Sequence, residues 1–176
     1  MNVVDPRALY SLSYGVYLVS SVNEDGRFNG QIANSAIQVS AEPPTIAVSI
    51  HRENLTGEYI ERSGVFSLSV LDQTVPMLFI GPFGFKCGRS VDKFVDCRYK
   101  VGSTGAPMVL DYSVATMEAK VISVMEVHTH RIFVGEIVGA TVVGDGEPLT
   151  YAQYHTVKKG KSPANAPTHS FNEVPR

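Results

Sequence analysis

Apolar and polar residues alternate with a period of two along much of this chain, and that period predicts strands. In "LSYGVYL", Leu12, Tyr14, Val16 and Leu18 alternate with smaller or more polar neighbours. "EDGR" (24–27) is a turn signal and predicts a hairpin into residues 28–40. "PTIAVSIHR" (44–52) reads as a compact strand after Pro43-Pro44, and "VFSLSVL" (65–71) as another. "YSVATMEAKVISVMEV" (112–127) and "RIFVGEIVGATVV" (131–143) predict two long strands joined at "HTH" (128–130), before a turn at "GDGEP" (144–148). Two stretches break the pattern. "ENLTGEYIERSG" predicts a helix with Asn54 as N-cap, Leu55, Tyr59 and Ile60 on one side, and Gly64 as the stop. "TVPMLFIG" (74–81) predicts a short helix with Pro76 in its first turn. Six strand segments with short helices predict a mainly β chain, a closed barrel with small helical insertions. Closure also removes exposed strand edges.

Length and charge narrow the possibilities. The 176 residues suit one domain with a real core, and the formal net charge of −2 argues against nucleic acid. The apolar runs are too short to span a bilayer, and "MNVVDPRALY" has no secretory pattern, so a cytoplasmic protein is expected. Cys87 and Cys97 form neither a CxxC nor a metal quartet and read as free thiols. His128 and His130 make an HxH pair without an obvious third ligand, so no metal site is expected. No P-loop, no GxGxxG after a strand and no GxSxG elbow occur.

Three segments carry candidate chemistry. In "SIHRENLT" (49–56) a strand ends and a helix begins, with Arg52, Ser49, Asn54 and Thr56 around its N-terminus; such ends attract anions. The alternative is an ordinary cap beside a solvated arginine. The loop "GFKCGRS" (84–90) brings Lys86 and Arg89 together with Gly84 and Gly88, suited to a close approach of backbone to a ligand, or simply a basic surface loop. "NGQIANSAIQVSAEPP" (29–44) holds neutral amides and hydroxyls among small apolar residues. Groups around Gln31 to Ser35 suit the edge of a planar heterocycle, with Ala33 letting a ring lie flat; the alternative is a polar strand face. The double proline then ends ladder bonding.

In this order, these segments resemble the flavin reductase-like family, the FMN-binding split barrels. The likeness runs from "ALYSLSYGVYLVSS" through "NGQIANSAIQVSAEPPTIAVSIHRENLTGEYI", "FGFKCGRSVDKF" and "HTHRIFVGEIV". The end, "PLTYAQYHTVKKGKSPANAPTH", resembles the flavoredoxin and high-molecular-weight-rubredoxin branch. The resemblance implies a six-stranded antiparallel Greek-key split β-barrel over residues 1–155, a C-terminal arm over 156–176, and a homodimer. It implies FMN, rather than FAD, held by Gln31, Ile32, Ala33, Asn34 and Ser35 at the ring. Ser49, Arg52, Asn54 and Thr56 would surround the ribityl phosphate, and Lys86, Gly88, Arg89 and Lys93 would approach the flavin. His130 would position a substrate, and Tyr154 and His155 would reach the pocket from the tail. The chain departs from the branch at Gln31, Cys87 and Ser90.

The activity so implied is hydride transfer from NAD(P)H to the flavin, then electron delivery to a rubredoxin-like protein or to free flavin. Without a CxxC here, an iron centre is expected on a separate partner. Two other readings stay open: an FMN-binding electron carrier without its own NAD(P)H activity, and a relative that binds haem or another aromatic ligand, or only forms a structural dimer.

Overall fold

The computed structural model describes residues 4–9 and 11–169. In chain order the elements are α1 (Pro6–Leu9), β1 (Tyr17–Val22), β2 (Phe28–Ala33), β3 (Ala36–Ala41), β4 (Pro44–His51), α2 (Leu55–Ser63), β5 (Val65–Leu71), α3 (Met77–Phe85), β6 (Tyr99–Val101), β7 (Pro107–Val109), β8 (Ser113–Val127), β9 (His130–Val142) and α4 (Tyr151–Thr156). Seven strands make one sheet in the order β2-β1-β5-β8-β9-β4-β3, and every neighbouring pair is antiparallel. The outermost strands, β2 and β3, are consecutive in sequence and joined only by Asn34 and Ser35. Three residue steps span at most about 11 Å, so the two edges meet at this corner and the sheet curls into a barrel with a split between them.

The structure has seven strands in the sheet where the resemblance implies six. The run 28–40 is divided at Asn34–Ser35, where the carbonyl of Ser35 accepts from the Ser49 N–H at 2.9 Å. The first strand begins at Tyr17, not near Leu12. The β6–β7 hairpin, a separate two-stranded sheet, is unforeseen. Residues 170–176 of the expected arm lie outside the described residues.

Val19, Val48, Phe66 and Phe133 fill the barrel, joined by Ile60 of α2. Gly135 makes room for Phe66, since a Cβ there would stand 2.6 Å from its ring. A second cluster, including Leu18, Leu71, Ile80, Phe83 and Tyr154, packs α3 and α4 against the outside of the sheet. Helix α2 ends as predicted: Gly64 adopts φ 69° and returns its N–H to Ile60. Helix α3 runs past the predicted Gly81 to Phe85, because the apolar run continues and buries Phe83.

Glu118 on β8 ties the β6–β7 connection to the barrel. Its Oε1 accepts from the N–H and hydroxyl of Ser103, at 3.0 and 2.9 Å, and its Oε2 from the N–H of Thr104 at 2.8 Å. Burial alone would raise its pKa; the hydrogen bonds from Thr104 and Ser103 outweigh this and hold it below the ordinary carboxylate value. A depressed folded pKa stabilises above the unfolded value and is lost as pH falls through the folded one. Glu118→Gln should therefore cost about 1.5–3 kcal/mol at pH 7 in urea unfolding. The difference from the parent should shrink as pH drops through the carboxylate range; a gap that persists at acid pH would show that the charge contributes nothing.

Candidate functional site

A cavity of about 480 Å³ opens where the split of the barrel meets α2, α3 and the end of the chain. Strand β2 delivers Asn29, Gln31, Ile32 and Ala33 to its wall, and Asn34 follows. Strand β4 ends at Ser49 and His51, and the turn after it leads through Asn54 to Leu55 and Thr56 in the first turn of α2. Residues 161–167 close another side.

The N-terminus of α2 is open toward this space. Asn54 is the N-cap residue by backbone, but its side chain caps nothing in the helix. Its Oδ1 instead accepts from Asn165 Nδ2 at 2.9 Å. The first-turn N–H groups thus lack that intrahelical cap and carry the positive end of the helix dipole. Asn29 Nδ2 donates to Thr56 Oγ1 at 2.8 Å in a buried contact that fixes β2 on the helix. This leaves Asn29 Oδ1 buried without a protein donor, and Gln31 Oε1 is in the same state. A buried acceptor without a partner costs free energy until something donates to it. Gly88 approaches so closely that a Cβ there would lie 2.0 Å from Asn29 Oδ1.

Lys93 supplies a cation. It is buried, and its Nζ donates to the carbonyl of Gly30 at 2.8 Å. Burial pulls the ammonium down to about 8, against a smaller opposing effect of the Cys87 sulfur. At one edge His130 meets His51 edge-to-face, 5.0 Å between ring centres. Burial and His51 hold His130 below its ordinary value, against an opposing hydrogen bond at the Asn165 backbone. Among the described residues, no cluster of His, Cys, Asp or Glu is placed to hold a metal.

Of the residues singled out from sequence, Gln31, Ile32, Ala33, Asn34, Ser49, Asn54, Thr56, Lys86, Gly88, Lys93 and Tyr154 line the cavity. Five stand outside its lining. Ser35 donates to Asn34 Oδ1 at 3.1 Å. Arg52 donates to the carbonyl of His128 at 2.6 Å, and Arg89 pairs with Glu58. His130 lies behind His51, and His155 binds the carbonyl of Gly160 at 2.8 Å. Sequence reasoning misses Asn29, His51 and Glu53. Asn29 opens the amide-rich stretch, which was the available signal. Nothing in "KSPANAP" announces that it would wall the cavity.

The arrangement suits one kind of ligand: a flat ring system with N–H and C=O edges and an anionic tail. A sequence profile described as "Flavin reductase like domain" matches residues 9–160. The chain is 46% identical to a high molecular weight rubredoxin of Moorella thermoacetica, over 94% of this chain and 72% of that one. It is 47% identical to a ferric-chelate reductase (NAD(P)H) of Archaeoglobus fulgidus, over 93% of this chain and 96% of that one. The crystal structure of a flavoredoxin from Methanosarcina acetivorans superposes with a TM-score of 0.68 at 26% identity, covering 74% of this chain and 69% of that one.

The buried lysine yields a direct check. In protein carrying 13C at lysine Cε, one resonance should titrate with a midpoint of about 8 and be absent from Lys93→Ala. A Lys93 midpoint at the ordinary 10.5 would mean that the amine is solvated.

Proposed function

The chain belongs to the flavin reductase-like family and is an NAD(P)H-dependent flavin oxidoreductase, and from that premise we propose that it holds FMN in the cavity between β2, α2 and α3. The observation that carries this reading is the pair of buried acceptors without protein donors, Asn29 Oδ1 and Gln31 Oε1, in a cavity that also receives the open end of α2. Asn29, Gln31 and Asn34 offer neutral hydrogen-bonding groups to the ring. Ala33 and Gly88 let it approach the backbone. The first turn of α2, with Asn54, Thr56 and Ser49, receives the phosphate, and Lys86 adds a charge at the rim. A flavin held there by these residues would supply hydride acceptance from the nicotinamide and one- or two-electron donation onward.

The chain's own groups bind, orient and tune. Lys93, on the Gly30 carbonyl of β2, places positive charge beside the ring site, which favours an anionic reduced ligand. His130, against His51 at the edge of the cavity, positions the nicotinamide and does not transfer a proton. Arg52 and Arg89, at the periphery, steer anions toward the mouth.

The acceptor we propose is a rubredoxin-like protein, a reading supported by the high molecular weight rubredoxin relative. A ferric chelate is the second reading, favoured by the ferric-chelate reductase relative. A homodimer is part of the proposal. Ile37 and Val39 on β3, and Ile122, Val124 and Met125 on the distal half of β8, are exposed apolar side chains on strands of one sheet, the kind of surface a second copy covers. Cys87 and Cys97 are both free thiols, in keeping with a cytoplasmic location. No helix among the described residues is long and apolar enough to cross a membrane.

Anaerobic absorption spectra test the reading. The protein should bind FMN, and the bound flavin should bleach within seconds of adding NADH or NADPH. Flavin that stays yellow with both nucleotides would make the chain a carrier reduced by another protein. A protein that ignores FMN would overturn the assignment of the cavity. Gly88→Val should weaken FMN binding at least about tenfold in a fluorescence titration, because the new side chain collides with Asn29. Unchanged affinity would move the ring elsewhere.

A further inference from the structure

The wall formed by residues 161–167 is unlike the others. It comes from the end of the chain and is held to the barrel at two places. The first is an anchor on α4. Gly160 lies so flat against the ring of Tyr154 that a Cβ would stand 2.1 Å from it. The Gly160 N–H donates to the Tyr154 carbonyl at 3.0 Å, its own carbonyl meets His155 Nδ1 at 2.8 Å, and the Tyr154 hydroxyl donates to the carbonyl of Lys161 at 3.0 Å. Lys159, just before, takes a left-handed φ of 55°, so the chain turns sharply onto this anchor.

The second place is a latch. Asn165 Nδ2 donates to Asn54 Oδ1 at 2.9 Å, and Asn34 Nδ2 donates to Thr168 Oγ1 at 3.0 Å. The Thr168 hydroxyl continues to Tyr151 at 3.0 Å. Pro163 and Pro167 stiffen the segment between. The latch residues on the barrel are therefore two of those assigned to the phosphate and the ring. They are the N-cap whose side chain does not cap its helix and the amide at the split.

With the segment in place, the cavity still measures about 480 Å³, within the range of roughly 300–1,000 Å³ for cofactor sites. The segment thus roofs the space without filling it. Its latch consists of neutral side-chain hydrogen bonds that are buried or half-buried, whereas its anchor is a packed ring contact plus backbone bonds.

We propose that residues 161–168 form a strap that closes over the bound flavin and governs its departure, so that this chain keeps FMN between turnovers and does not exchange it as a diffusing substrate. The proposal rests on the FMN reading of the cavity.

The test measures FMN release from the full-length chain by stopped-flow fluorescence, with an excess of a flavin-scavenging apoprotein as trap. Gly160→Val breaks the anchor by driving a side chain into the Tyr154 ring, and Asn165→Ala combined with Thr168→Val removes the side-chain hydrogen bonds of the latch. Each should raise the release rate by about tenfold or more, on the order expected when the hydrogen bonds holding the segment are lost, with association unchanged or faster. The latch variant carries the test should Gly160→Val not fold, and its near-ultraviolet circular dichroism checks that the barrel is intact. Unchanged release in a folded latch variant overturns the strap. Tighter binding in it also overturns the proposal, since the segment would then compete with flavin. Failure of the parent protein itself to bind FMN would count against the cavity assignment and not against the strap's geometry.

Discussion

Everything in this molecule turns on a two-residue link. Asn34 and Ser35 join strands at opposite ends of a seven-stranded sheet, so the sheet cannot lie open. Its twist supplies the curl, and the short link sets where the edges meet. Because β2 and β3 do not pair with each other, the barrel stays split there. At the corner the Ser35 backbone still extends the β3–β4 ladder, and only the seam between β2 and β3 is left as a gap. The Ser35 carbonyl is taken by Ser49, and Asn34 turns its amide toward Thr168. The cavity is the direct consequence of a sheet that closes by chain connectivity and not by strand pairing at its last seam.

Two buried polar clusters in the same chain show how differently such groups are treated. Glu118 is enclosed by Ser103 and Thr104, and both of its oxygens are satisfied, with Gly102 and Gly139 leaving room for the carboxylate. That is the pattern of a structural group, in which burial is offset locally. Around the cavity, Asn29 is satisfied through its Nδ2 and left open at Oδ1; Gln31 is open at Oε1. Lys93 is buried with one hydrogen bond to Gly30 and so is pulled toward neutrality. Groups left incomplete in an otherwise well-satisfied protein hold binding free energy in reserve for a ligand that completes them.

The architecture was readable in the sequence where physics is local. Period-two alternation marks the long strands β8 and β9, and Asn54 and Gly64 bracket α2 to within a residue. The division of residues 28–40 was not read from the sequence, because the corner at Asn34–Ser35 carries neither Gly nor Pro and the tertiary crossing sets it. The β6–β7 hairpin was missed for a related reason: its strands are three residues each, too short to establish a period. At the site, residues on regular elements could be assigned from their segments. The strap could not, since a polar, proline-rich tail carries no periodic signal and its contacts span 111 and 134 residues of sequence.

Arg52 shows why proximity in sequence to a helix N-terminus does not settle a residue's task. Its backbone N–H donates to the Thr129 carbonyl at 3.0 Å, and its guanidinium to the His128 carbonyl at 2.6 Å, so both ends of the residue grip the β8–β9 turn. That turn needs holding: His128 has a positive φ of 50°, an unfavourable conformation for a residue with a side chain. By fixing the turn, Arg52 fixes the start of β9 and with it His130, whose ring lies against His51 at the edge of the cavity. A guanidinium has five N–H donors, and this bond uses one of them. The same residue can therefore lock the turn through one nitrogen and present positive charge to an approaching anion through the rest, which couples the placement of His130 to the electrostatics of the cavity's rim.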